Sequence, residues 1–220
     1  MINESWPWKR DLWLAAERIE NAKFNLADQL DNATLELDDY DFLYSDPEAE
    51  ILYQVERDVL LSAYAMRRLI GIPTKMTREV ARASIDVVDF PLREAAKSPD
   101  FWDALGDIDI YDLQSPKKRT VTVQTICNYF VHSLFLRFAW TIPTLSFEEY
   151  WALDGDDVRT QEDPRVLAGW LVASDRSSKN ALTYVPLDDY VSILKRFAHD
   201  EVTTIRTWTD PDGIRHYETS

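Results

Sequence analysis

Residues 126–142 read Ile-Cys-Asn-Tyr-Phe-Val-His-Ser-Leu-Phe-Leu-Arg-Phe-Ala-Trp-Thr-Ile, the longest dense apolar run of the chain, broken at Asn128, His132 and Arg137. How this run folds decides the architecture. Read as a helix from about Thr120 to Ala139, it lines Val123, Ile126, Cys127, Phe130, Leu134 and Phe138 along one side. Val131, Phe135 and Leu136 then spread apolar character round most of the circumference. A helix apolar nearly all round is central, with neighbours on several sides. The run is too short and too polar to read as a membrane span.

Upstream, the pattern predicts long helices. Trp8, Leu12, Ala15, Ile19, Ala22, Leu26 and Leu30 recur at helical spacing across 8–32, with Ser5 as a candidate cap. Over 46–71, Asp46 is a natural N-cap and Pro47 suits the first helical position. Leu52, Val55, Val59, Ala63, Met66 and Ile70 make its buried stripe, and Gly71 and Pro73 end it. A third helix is expected from Thr77 to before Pro91, burying Val80, Ser84, Val87 and Val88. Ser98-Pro99-Asp100 suggests a short helical turn to Leu105, and 107–118 reads as a connector.

Downstream the period changes. Residues 166–173 and 181–185 read as buried strands joined by the polar turn 175–180, a candidate hairpin. Helical spacing returns over 187–199 through Tyr190, Val191, Leu194 and Phe197. Residues 202–208 and 214–217 flank the strong turn Asp210-Pro211-Asp212-Gly213. The expected class is α+β, mainly α. A helical bundle over 1–140 would carry a small hairpin-and-helix part over 141–220.

The chain has 220 residues and a net charge of −15. Residues 1–60 carry 5 basic against 15 acidic side chains, 61–140 carry 11 against 9, and 141–220 carry 8 against 15. Both ends therefore repel nucleic acid, so DNA binding is not expected and RNA binding is disfavoured. The acid serves solubility or faces a protein partner with a basic surface. Lone Cys127 excludes an internal disulfide and a multi-cysteine zinc site, which points to a cytoplasmic location. The first residues lack a basic region followed by an apolar run, so no signal peptide is expected.

The chain lacks the Walker loop, the dinucleotide glycine fingerprint, the serine elbow and the zinc-protease helix. The acidic clusters 38–41 and 154–157 lack calcium-loop spacing, so they read as solvated loops. No cofactor and no metal are expected. Asn128 and His132 are the candidate catalytic residues. They lie four apart, on one face of a helix, where an imidazole held by a neighbour can move a proton. The same pair also fits a buried, hydrogen-bonded couple. Cys127 lies five residues from His132, on a different side, and reads as a core thiol.

The stretch Cys127-Asn128-Tyr129-Phe130-Val131-His132 resembles the motif of HEPN-domain proteins. That motif is an Arg, often followed by Asn, then three variable residues and His, near the start of a late bundle helix. The resemblance covers about residues 8–140 and matches Asn128 and His132; Cys127 stands where the family has its catalytic Arg. It implies a small helical bundle and a place among bacterial defence or toxin–antitoxin components. Because a thiol cannot offer a phosphate the positive fork of Arg, it implies a non-catalytic, regulatory protein-interaction role. A metal-independent ribonuclease using His132 with another cation is one alternative, for which Arg119 and Arg137 are candidates. An acidic, antitoxin-like decoy for a basic nucleic-acid enzyme is the other. A homodimer would suit such a bundle.

Overall fold

The computed structural model describes residues 5–35, 47–72, 74–94, 97, 99–100, 102, 108–153 and 166–220. The acidic stretches 38–41 and 154–157, the Asp46 cap and the turn toward Leu105 lie outside the described residues. Helices α1 (Trp6–Leu35) and α2 (Pro47–Ile70) fall where the spacing placed them. Leu12, Ala15, Ile19 and Leu26 of α1 are buried, as are Val55, Val59, Ala63 and Met66 of α2. Arg18 of α1 donates to both carboxylate oxygens of Asp58 on α2, at 2.6 and 2.8 Å. That pairing satisfies a carboxylate that is otherwise buried.

The third expected helix is only one turn, α3 (Arg78–Ala81), capped by the Thr77 side chain. The chain then extends as β1 (Ser84–Pro91). Ser-Ile-Asp-Val-Val-Asp-Phe is β-branched and half-alternating, and Ile85, Val87, Val88 and Phe90 are buried while Ser84 is exposed. A 3₁₀ turn (Ile108–Ile110) precedes β2 (Lys117–Thr122).

The deciding run divides in two. It forms α4 (Val123–Val131), then β3 (Ser133–Thr141), with His132 as the helix C-cap between them. The expected single helix over 120–139 is thus corrected to strand, nine-residue helix and strand. The apolar residues of β3 serve both faces of a sheet. Phe135 and Ala139 are buried on one side, and Leu136, Phe138 and Trp140 pack against the core on the other. A strand covered on both sides is as continuously apolar as a buried helix, so periodicity does not separate them.

After α5 (Phe147–Ala152) come β4 (Val166–Ser174), β5 (Ala181–Pro186) and α6 (Leu187–His199). The expected pairing of 166–174 with 181–186 is present, and antiparallel. The five-stranded sheet runs β2-β1-β5-β4-β3, with every neighbour antiparallel. It takes strands from both sides of residue 140, and β3 pairs directly with β4. The class is α+β. Helices α1, α2, α4 and α6 cover one face, enclosing Phe130, Trp170 and Tyr190 in mutual edge contacts. The other face is covered by Tyr111 and Phe147, the latter stacked on Tyr184 at 4.0 Å. A separate hairpin, β6 (Ile205–Thr209) and β7 (Arg215–Thr219), closes over the Asp210–Gly213 turn.

Candidate functional site

Three pieces of chain meet at His132. The first is α4. Thr122 caps its start by accepting from Thr125 N, and the His132 amide closes its end on the Asn128 carbonyl. The second is the last turn of α2, which carries Arg67. The third is the β4–β5 turn, expected only as a polar reversal. It is fixed internally: Ser177 N donates to Ser174 Oγ at 3.1 Å, and the Tyr111 hydroxyl donates to the Ser178 carbonyl at 2.9 Å. It is joined to the helix end where Asp175 N donates to the His132 carbonyl.

Between these pieces lies an open cavity of about 680 Å³. Asn128, Tyr129 and His132 line one wall, Arg67 a second, and Arg176 and Asn180 a third. The structure therefore brings Asn128 and His132 to one cavity, with His132 exposed and Asn128 half-buried. Arg67 Nη1 lies 3.0 Å from His132 Nε2. A guanidinium only donates, so this contact makes Nε2 the acceptor and leaves the ring proton on Nδ1. Arg67, Arg176 and His132 face a single carboxylate, Asp175.

Cys127 points the other way, into the core, and its burial pushes the thiol up to about 12. It is neither a nucleophile nor a partner of His132. Arg119 is engaged elsewhere: it binds Asp89 and donates to the Tyr129 hydroxyl at 3.0 Å. Asp89 also accepts from Thr183 at 2.8 Å. Arg137 lies on β3 and does not line the cavity. The cation beside His132 is Arg67, not Arg119 or Arg137. It stands 65 residues from His132. No local spacing could have joined them; only the crossing of α2 with α4 does.

His199 Nδ1 lies 2.8 Å from the Lys195 carbonyl, and its ring meets Trp13 edge-on at 4.7 Å. His216 is paired with Asp210 in the β6–β7 hairpin. Among the described residues, no group of three or more His, Cys, Asp or Glu side chains is placed to hold a metal ion. No described helix is long and apolar enough to cross a membrane. The chain matches no protein-family model, no curated protein and no solved structure.

Proposed function

We propose that this is a regulatory, partner-binding protein of the bacterial defence or toxin–antitoxin type, and that its working site is the cavity at His132. The observation that carries the reading is the local charge. On a chain of net −15, this cavity sets two guanidiniums and an imidazole against one carboxylate. Such a cavity receives an anionic group, a phosphate or carboxylate, from a ligand or partner. Binding is favoured over catalysis because the atoms that would accept a proton are already engaged. His132 Nε2 is held by Arg67, and the Tyr129 hydroxyl by Arg119. The HEPN-like kinship, over about residues 8–140, belongs to the same proposal, as does a cytoplasmic setting. Titration with inorganic phosphate and with short carboxylate peptides tests it. Binding that is lost in both Arg67→Ala and His132→Ala is expected; binding indifferent to both variants removes the proposal.

Arg67 favours one second reading, a metal-independent ribonuclease. It offers the positive fork that the position of Cys127 lacks, 3.0 Å from the imidazole. If Arg67 turned onto a phosphate, Nε2 would be free to take a proton from an attacking hydroxyl. RNA cleavage by clean protein, abolished by His132→Ala with the melting temperature unchanged, would replace the first reading with this one.

A further inference from the structure

The β6–β7 hairpin is unusual in what it leaves exposed. All five residues of β6 are exposed, and Trp208 and Tyr217 each keep 49% of their surface open. It is tied to the body by Thr219 Oγ1, which donates to the Met76 carbonyl at 2.8 Å, and by Arg78 Nη1 on Glu218 at 3.2 Å. Between β7 and the α2–α3 corner lies a cavity of about 390 Å³, within the size range of small-molecule sites. Trp208, Tyr217 and Arg215 line it from the hairpin, and Arg78 and Arg82 from the corner.

Two features make this more than a surface cleft. First, the exposed indole is held in place. The His216 ring lies nearly parallel to Trp208, at 19° and 5.5 Å, across the strand pair. His216 Nε2 is 2.8 Å from Asp210 Oδ2, and Asp210 Oδ1 accepts from the amides of Asp212 and Ile214. The turn thus orients the imidazole, and the imidazole orients the indole. A flat apolar surface fixed before binding loses little freedom when a ring stacks on it. Second, the cavity is cationic. Arg78 is paired with Glu218, but neither Arg82 nor Arg215 forms an ion pair with a described residue. That stands out in a chain with 39 acidic and 24 basic side chains.

A fixed aromatic plate beside two unneutralised guanidiniums matches a planar, anionic ligand. We propose that this cavity is a nucleotide site: the base stacks on the Trp208 plate, and Arg82 and Arg215 hold the phosphate. The nucleotide is either a free nucleoside monophosphate or the 5′-phosphorylated end of single-stranded RNA. This site is separate from the cavity at His132 and does not depend on how that cavity is read.

Calorimetric titration of the full chain carrying Arg67→Ala, which removes anion binding at the His132 cavity, with AMP, GMP, CMP and UMP tests it, with the matching nucleosides and inorganic phosphate as controls. The expected result is saturable binding with Kd below about 1 mM, weakened about tenfold or more when either base or phosphate is removed. Arg82→Ala/Arg215→Ala should reduce nucleotide affinity to that of the nucleoside. Trp208→Ala should reduce it to that of phosphate, and Trp208→Phe should largely restore it. A short oligoribonucleotide with and without its 5′-phosphate assigns the source: phosphate-dependent binding tighter than that of the monophosphates identifies the RNA end, and otherwise the free nucleotide is the ligand. Absence of saturable binding by any monophosphate or 5′-phosphorylated oligonucleotide overturns the proposal. So does phosphate binding as tightly as nucleotide, or affinity unchanged in the Trp208 and arginine variants. Melting curves of each variant separate loss of the site from loss of the fold.

Discussion

Arg67, in the last turn of α2, donates to Nε2 of His132, the residue that ends α4, at 3.0 Å. The contact ties two helix ends at an exposed position, so it contributes little to stability and much to the shape of the cavity. Arg67→Gln is expected to change unfolding free energy by less than about 1 kcal/mol, because solvent competes with exposed hydrogen bonds. Anion binding should fall sharply in the same variant. Denaturant melts and phosphate titration, run on one preparation, separate the two effects.

The core beneath that cavity behaves oppositely. Phe130 is fully buried against Trp170 and Tyr190. Phe130→Ala should cost about 3–5 kcal/mol. Trp170→Phe should cost less, although the residue is larger, because Trp170 Nε1 is buried without a hydrogen-bond partner. Removing an unsatisfied donor offsets part of the lost volume. Equilibrium unfolding in urea gives both values, and a Trp170→Phe loss exceeding that of Phe130→Ala would contradict this account.

Two glycines should respond very differently to the same change. At Gly169 (φ +157°) an added Cβ would sit 2.2 Å from the Val185 carbonyl oxygen and 3.0 Å from Leu187 N, both backbone atoms of the adjoining chain. The neighbour cannot yield without moving β5, so Gly169→Ala should cost at least about 2–3 kcal/mol. Gly213 (φ +80°) meets nothing within 4 Å. Gly213→Ala carries only the left-handed backbone cost, about 1 kcal/mol. The difference in melting temperature between the two variants is the measurement.

Alkaline pH should unfold this protein through its interior. Burial holds the Cys127 thiol at about 12, up from 9.0, and burial also holds the Tyr190 phenol well above 10.0. Both groups ionise more readily when the chain is unfolded. The stability their neutral forms confer is complete below about pH 9 and is lost as pH rises toward 12. Cys127→Ala should flatten the fall between about pH 9 and 12 without abolishing it, since Tyr190 remains. At neutral pH a thiol reagent should modify Cys127 only as fast as the protein opens.

The acidic ends bear on partners. Residues 1–60 carry a net −10, from 5 basic and 15 acidic side chains. If they dock a basic protein, association should speed up at low salt, because such steering is screened over roughly 8 Å at cellular ionic strength. Reversing Asp38, Asp39 and Asp41 should slow it. Stopped-flow rates across a salt series, after capture of a partner from extract, measure this; rates unmoved by salt and by charge reversal leave the acid as a solubility device.

The sequence showed the helices with one apolar stripe, because α1, α2 and α6 each bury a single face. It also showed the β4–β5 and β6–β7 hairpins, whose turns are polar or glycine-bearing. It misdirected where a segment is covered on two sides. The β3 run, Ser133–Thr141, reads as a helix apolar all round because both faces of its strand meet hydrophobic layers. The one-residue break at His132 carries no glycine or proline to announce it. Asn128 and His132 were legible as a pair, since their spacing is local. Arg67, Arg176 and the Ser174–Ser177 turn were not, because folding alone brings them to His132.

Helix α1 rests chiefly on α2 and α6, and Lys23–Asp188 and Lys195–Glu20 ion pairs, each at 2.7 Å, stitch α1 to α6. Yet α6 begins 152 residues after α1 ends, from Leu35 to Leu187. On a ribosome adding roughly 5–20 residues per second, the apolar stripe of α1 waits about eight to thirty seconds for the part of its cover that α6 supplies. The strand pairing of β1 with β5 waits for about 90 residues, from Pro91 to Ala181. This chain therefore completes its core only after α6 has been made, and until then its first helix is a client for whatever chaperone attends the nascent chain.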